Sequence, residues 1–223
     1  MTDSNAEIPV DAVTIARYAN ILPDALLDVW RNSGLCSIAG GRMQLIVPDM
    51  FASLTSYIFE GDPDLAGDTY AIAYGALGEV VFWSGRHGFG FLAPGLATLD
   101  MPYILDPTPP TGDAQIAQDL LTFPATGIES FDPAGAPVFE RLQARFRPLP
   151  FGAIYGTTPV PPSLAGTPVE HYVVAEAADW LEAVYTNINI TLVDWSRQPS
   201  ELRRVGQPWP KGGPVAAIRE ERL

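Results

Sequence analysis

Two pairs of strand-like segments place the strongest constraint on the fold of this chain. Each pair flanks a glycine-containing turn: residues 35–39 and 42–47 around Gly40 and Gly41, and residues 69–74 and 80–84 around Gly75 and Gly78. A short glycine turn between two strands usually joins them as an antiparallel hairpin. The two pairs therefore predict antiparallel hairpins that form part of a mixed sheet. They do not suit a parallel sheet built from alternating strands and helices.

Helical segments surround the predicted hairpins. The clearest is residues 23–32, where Pro23 and Asp24 suit the first turn and Gly34 follows the end. Helices are expected at residues 9–20, 23–32, 48–59, 113–123, 138–146 and 175–186. Further strands are expected at residues 89–92, near 101–105, 169–174 and 188–195, and a loop at 151–166. The fold class is therefore α+β, with N-terminal helices and a C-terminal helical part packed against the sheet.

Composition divides the chain into three segments. Residues 1–110 and 111–196 are the two structured parts, and we expect them to pack as one unit. Residues 197–223 are rich in Pro, Gly and Arg, so this basic tail is expected to be extended, partly disordered or wrapped on the body.

Charge is unevenly distributed along the chain. It has 26 acidic and 13 basic residues, a formal net charge of −13. Residues 1–196 hold 23 of the acids and seven of the bases, whereas residues 197–223 hold three acids and six bases. An acidic body repels phosphate backbones, which argues against direct nucleic-acid binding, and it attracts basic proteins. The alternative interpretation is that the negative charge has no specific role, because many bacterial proteins are acidic.

Candidate catalytic side chains are few. Cys36 is the one cysteine, and His87 and His171 are the two histidines. They fall in predicted strands and turns, so a Cys–His dyad would depend on contacts distant in sequence. The sequence contains no phosphate-binding loop, paired-cysteine motif or nucleophile elbow. We therefore expect a protein that is not an enzyme, with no catalytic residue, cofactor or metal site.

Cellular location follows from the same composition. Residues 1–7 are polar, a single cysteine precludes an internal disulfide, and no apolar run approaches the roughly 20 residues that span a bilayer. We expect a cytoplasmic protein without membrane contact.

One loop is the best candidate for a binding surface. It carries four acids, which are Glu60, Asp62, Asp64 and Asp68. Pro63 interrupts the run, and the spacing lacks the distal glutamate of a calcium loop. A solvated loop is the simplest interpretation, and an exposed surface for a basic partner is the functional one. Trp209 in the tail is a second candidate contact, either with a partner or with the body.

Several stretches together resemble a known pair of domains. They are residues 22–30, 33–35, 40–41, 45–48 and 70–83 in the first part, and residues 151–156, 159–166, 169–171 and 175–185 in the second. The first group is similar to GAD-like domains. The second group resembles the C-terminal domain that is usually paired with them. The matching positions are turns and core residues, so they carry no functional residue over.

This pair of domains is the arrangement of a type VI secretion immunity family, whose members protect the producing cell from its own DNase effector. The resemblance implies an immunity protein whose partner is a cognate toxin, a basic DNase. An accessory module associated with RNA is the alternative, because GAD domains also occur within tRNA-charging enzymes. A hydrolase with an unfamiliar site is a third possibility.

Overall fold

The computed structural model describes residues 8–105, 128–160 and 166–210. These residues form five α-helices, an eight-stranded sheet and a two-stranded hairpin, which confirms the α+β prediction. The helices are α1 (Ala12–Tyr18), α2 (Asp24–Ser33), α3 (Ala52–Ile58), α4 (Phe139–Phe146) and α5 (Ala177–Tyr185). The strands of the large sheet are β1 (Ser37–Ile38), β2 (Met43–Leu45), β3 (Thr69–Gly75), β4 (Val80–Ser84), β5 (Gly88–Ala93), β6 (Thr98–Asp100), β9 (Thr191–Val193) and β10 (Glu201–Arg204). The hairpin consists of β7 (Ala153–Thr157) and β8 (Tyr172–Glu176).

The large sheet has the strand order β1-β2-β3-β4-β5-β6-β9-β10. Neighbouring strands are antiparallel except β6 and β9, which run parallel with Leu99 opposite Leu192. The sheet is therefore mixed, as the hairpin pattern predicts. The parallel pair connects the first half of the chain to its C-terminal part within one sheet.

Strand β4 is central, and both of its faces are covered. All five of its residues are buried. Val80 and Phe82 belong to the larger core cluster with residues of α3 and α5, whereas Val81 and Trp83 belong to the cluster formed with α2. Because side chains alternate between the faces of a strand, the continuous apolar run of β4 fills two cores at once.

Local sequence signals determine the ends of the first two helices. The side chain of Asp11 accepts hydrogen bonds from the backbone N–H groups of Val13 and Thr14, both at 2.9 Å, and so caps α1. Helix α2 follows Pro23 and ends at Gly34, whose φ of 66° is readily adopted by glycine. Leu26, Leu27 and Trp30 form an apolar face of α2, and all three are buried.

Several predicted boundaries are wrong. The turn between β1 and β2 is a 3₁₀ turn, Ala39–Gly41, and not a two-residue turn. The strand expected near residues 101–105 lies earlier, at β6, and residues 169–171 form a 3₁₀ turn before β8. Residues 151–166 were expected to be a loop, but they include β7, every residue of which is buried. The helix predicted at residues 113–123 lies outside the described residues.

The basic tail contributes a strand to the large sheet. Strand β10 pairs antiparallel with β9, with Arg204 opposite Thr191. The large sheet thus includes strands from all three segments expected from the sequence, while the boundaries at residues 110 and 196 stay predictions. Among the residues that the structure describes, no helix is both long and apolar enough to cross a membrane.

Candidate functional site

The predicted acidic loop follows α3 and is built around a buried carboxylate. Asp62 accepts hydrogen bonds from the backbone N–H groups of Asp64 and Leu65, both at 3.1 Å. Its two oxygens also pair with the guanidinium of Arg203, at 2.6 Å and 2.8 Å, and one of them accepts the N–H of Gly206 at 2.8 Å. The exposure expected for Asp62 is wrong, because its side chain is fully buried against β10.

Asp64 completes the attachment of the tail. Its carboxylate accepts hydrogen bonds from Arg203 at 3.0 Å and from the indole N–H of Trp209 at 2.7 Å. The Arg203 guanidinium lies 4.9 Å from the centre of the Trp209 ring, a cation–π contact. Trp209 therefore docks the tail on the body, one of the two roles expected for it. The basic group that this part of the loop binds belongs to the same chain.

The remaining two acids of the loop differ from one another. Asp68 accepts hydrogen bonds from the hydroxyl of Ser84 at 2.7 Å and from the Arg86 side chain at 3.2 Å. Glu60 is exposed. The role of these four acids in binding a partner stays a prediction. Glu60 is the member of the set whose carboxylate is best placed for it.

Charge pairing determines the ionisation of Asp62. Burial by itself raises the pKa of Asp62, but hydrogen bonds from Arg203, Gly206 and Asp64 outweigh burial and hold the pKa below its ordinary value. The carboxylate is therefore ionised at neutral pH, as a buried ion pair requires. This part of the loop therefore stabilises the fold by holding β10 in place.

The possible catalytic residues have different surroundings. Cys36 is half-buried beside β1, His87 is half-buried in the turn between β4 and β5, and His171 is exposed. Burial lowers the pKa of His87, so its imidazole is neutral at physiological pH. In the described ranges, no group of three or more His, Cys, Asp or Glu side chains is arranged to hold a metal ion. The expectation of no catalytic, cofactor or metal site stays a prediction.

A second acidic site, which the sequence reasoning missed, lies at the turn between β3 and β4. The side chain of Glu79 is folded over Gly75, and the residue is 6% exposed. A Cβ at position 75 would lie 2.1 Å from Glu79 Oε2, so only glycine leaves room for this carboxyl. Glu79 Oε2 has no hydrogen-bond partner among the described residues. Burial raises the pKa of Glu79 to about 7, although hydrogen bonds from the backbone N–H groups of Glu79 and Leu77 lower it, and the nearby Glu129 adds to the rise.

Glu129 lies close to Glu79, but both of its carboxylate oxygens already have partners. Its Oε1 accepts hydrogen bonds from the backbone N–H groups of Ser130, Val138 and Phe139 at 3.0–3.2 Å. Its Oε2 lies 3.5 Å from the guanidinium of Arg42, which stacks 4.3 Å from the centre of the Phe139 ring. The two glutamates thus differ, because both oxygens of Glu129 have partners, whereas Oε2 of Glu79 has none among the described residues.

A pocket of about 250 Å³ opens above these two glutamates. Apolar side chains form much of its wall, and two of them stand at the surface, Leu96 at 65% exposure and Phe131 at 51%. The other lining residues are Leu77, Ala93, Pro94, Gly95, Ser130 and Gly166. We call this the Glu79 pocket. It combines an acidic interior with an exposed apolar rim.

One sequence signal could have indicated this site. Between Thr69 and Ser84 the chain is almost wholly apolar, and Glu79 is the single charged residue of that stretch. A lone acid in a buried hairpin departs from the usual preference of charged residues for solvent.

Comparison with known proteins agrees with the fold. Residues 1–92 match the GAD-like domain family, which confirms the first part of the resemblance seen in the sequence. The solved structure of Atu4351 from Agrobacterium tumefaciens matches with a TM-score of 0.84 and 22% sequence identity, and covers 92% of this chain and 94% of that chain. At that identity the likeness shows a shared fold. No curated protein sequence matches this chain.

The matched range ends within β5, so it includes Glu79 but not Glu129 or Phe131. The Glu79 pocket is therefore lined partly by residues inside the matched range, Leu77 and Glu79, and partly by residues beyond it, among them Leu96, Glu129 and Phe131.

Proposed function

We propose that this chain is an immunity protein that binds and neutralises a cognate toxin, a type VI secreted DNase effector, in the cytoplasm. The observation that carries the proposal is the negative charge of the body. Residues 1–196 contain 23 acidic residues and seven basic ones. A protein that cleaves DNA needs a basic surface to hold the phosphate backbone. An acidic body is complementary to that surface and competes with DNA for it.

The surface around the Glu79 pocket supports a protein partner. Leu96 and Phe131 are large apolar side chains exposed beside buried acids. Protein interfaces commonly combine an apolar or aromatic centre with polar groups around it. The GAD-like match and the resemblance of the second part to the paired C-terminal domain agree with this function.

Electrostatic attraction has a defined consequence for how the two proteins would meet. Opposite charges mainly accelerate association, and the acceleration weakens as salt screens them. Close apolar contacts then slow dissociation. We therefore expect the toxin complex to form quickly at low salt and to persist once formed.

The test is a nuclease assay with the toxin encoded beside this gene. The purified chain should protect plasmid DNA from that toxin at an equimolar ratio and should coelute with it in size-exclusion chromatography. Single replacements of Cys36, His87 and His171 by Ala should still protect if they remain folded, because the proposal requires no catalytic step. Failure of the wild-type chain to bind or inhibit the toxin would overturn the proposal.

An RNA-associated module is distinguished by a second assay. The acidic body should give no shift of bulk tRNA in a native gel at moderate salt, because like charges repel. A tight, saturable tRNA complex would favour the RNA-associated function instead.

A further inference from the structure

We propose that the Glu79 pocket binds the side chain of one arginine of a partner protein, with the guanidinium beside Glu79 and the aliphatic stem against the apolar rim. The inference rests on the proposed function, because it identifies the chemistry with which the toxin would be recognised. The pocket itself, however, can be tested without the toxin.

The unpaired oxygen of Glu79 is the first argument. Glu79 lines the pocket, and its carboxyl accepts hydrogen bonds from backbone N–H groups of Leu77 and Glu79, but its buried Oε2 has no partner among the described residues. A buried polar atom without a partner is unfavourable, so a donor that reaches Oε2 after a small rotation of the side chain is favoured. The neighbouring Glu129 uses its oxygens on three backbone N–H groups and Arg42. The site therefore already holds one guanidinium on Glu129 and offers Glu79 for a second.

Size and wall chemistry are the second argument. At about 250 Å³ the pocket is smaller than the roughly 300–1,000 Å³ of pockets that enclose drug-sized ligands. One long side chain suits it better than an organic cofactor. Phe131 at the rim can stack on a planar guanidinium, which is less strongly hydrated than an ammonium group and so is easier to bury.

Protonation of Glu79 should make binding in the pocket depend on pH, which contacts with apolar side chains alone would not do. With a pKa of about 7, Glu79 is largely protonated at pH 6 and largely ionised at pH 8 in the empty pocket. Backbone N–H groups of Leu77 and Glu79 donate to its carboxyl, the charge of Glu129 before α4 acts on it, and Tyr172 of β8 and Tyr185 of α5 lie near it, while Arg42 pairs with Glu129. A bound guanidinium favours the carboxylate, so binding becomes tighter as the pH rises from 6 to 8.

The experiment titrates the full chain with N-acetyl-arginine amide and records amide shifts by NMR, with the citrulline analogue as the uncharged control. We expect saturable shifts at Leu77, Glu79 and Leu96 in the millimolar range, on the order of 1–10 mM. The dissociation constant should fall several-fold between pH 6 and pH 8. Equal shifts with citrulline, or shifts spread over the acidic surface without saturation, would overturn the inference.

Variants separate the pocket from general acidity. Glu79→Gln should weaken arginine binding and remove its pH dependence between pH 6 and 8, whereas Glu182→Gln, an exposed acid on α5, should change neither. Phe131→Ala and Leu96→Ala alter exposed side chains with little effect on folding, and each should weaken binding. Unchanged binding in all three pocket variants would contradict the assignment.

The toxin complex then distinguishes the two proposals. If the wild-type chain binds the toxin and Glu79→Gln and Phe131→Ala bind it equally well, the pocket inference fails and the immunity function stands. If the wild-type chain does not bind the toxin, the immunity function fails, and the arginine titration still decides what the pocket recognises.

Discussion

Arg203 and Asp62 form a bidentate ion pair although 141 positions separate them in the sequence, with N–O distances of 2.6 Å and 2.8 Å. Both side chains are almost completely buried. The pair joins strand β10 to the loop after α3, so the basic tail and the acidic loop stabilise one another. Part of the acidity that suggests a basic partner is in this way neutralised within the chain.

The first prediction concerns this ion pair. Asp62→Asn should lower the free energy of unfolding by at most about 3–5 kcal/mol, because the buried guanidinium of Arg203 would keep only the less buried Asp64 as its carboxylate partner. Urea denaturation followed by circular dichroism measures the change. The matched control is Asp28→Asn, which breaks the exposed pair between Asp28 and Arg31 and should cost about 0–1 kcal/mol. Equal effects of the two variants would show that Arg203 and Asp62 are not a buried pair in solution.

Burial of Asp62 illustrates what the sequence could not predict. A stretch rich in Gly, Pro and Asp indicates an exposed loop, and residues 60–68 do form turns. The carboxylate is nevertheless buried, because Arg203 of a distant strand covers it. Hairpins and helix ends such as β3–β4 and Gly34 depend on local sequence and were predicted well. Long-range pairs leave no local pattern.

Strand β7 was missed for a related reason. Its Gly156 lies beneath the Trp180 ring, where a Cβ would be 2.6 Å from the indole. From the sequence alone, Gly156 predicts a loop, because Gly152 and several prolines lie near it. In the folded chain it allows α5 to pack closely on β7. The glycine is required by packing between elements, which composition does not distinguish from a turn.

The second prediction concerns Gly75 and Glu79. Gly75→Ala should destabilise the chain by about 1–3 kcal/mol, because the new methyl group would overlap the Glu79 carboxyl. Truncating the carboxyl by Glu79→Ala should relieve much of that cost in the double variant. A double-mutant cycle by urea denaturation should then give a coupling of about 0.5–3 kcal/mol. Strictly additive effects would mean that the two side chains do not meet.

The third prediction concerns the tryptophans. Trp30, Trp83 and Trp180 are buried, whereas Trp195 is 55% exposed. Acrylamide is the suitable quencher, because an acidic surface repels iodide. Trp195→Phe should therefore remove most of the readily quenched fluorescence, and Trp83→Phe should leave that fraction unchanged. A readily quenched fraction that persists in Trp195→Phe would place one of the other indoles at the surface.

The fourth prediction concerns the pH dependence of stability at Glu79. Its folded-state pKa of about 7 lies above the ordinary value of 4.5. A raised carboxyl pKa means that the folded state holds the proton more tightly than the unfolded state. The stability that protonated Glu79 contributes to the folded state is therefore fully present below pH 4.5 and is lost as the pH rises through 7.

Glu79→Gln keeps the shape of the side chain and removes this titration. Below pH 4.5 the free energy of unfolding of the variant should change with pH nearly as that of the wild type does. Between pH 5 and 8 the variant should become increasingly more stable than the wild type. At pH 8 the difference in the free energy of unfolding should be at most about 3 kcal/mol, since each pKa unit corresponds to about 1.4 kcal/mol. Urea denaturation of both proteins at pH 5, 6, 7 and 8 measures the difference.

The sign of that difference connects stability with binding. If Glu79→Gln is more stable than the wild type at pH 8 but binds arginine less well, the buried carboxyl is retained at a cost to folding that a bound cation offsets. Such a conflict between stability and binding is common at functional sites. If the variant is less stable at pH 8, the carboxylate already has a stabilising partner within the chain. The pocket would then have no need of a cation from outside.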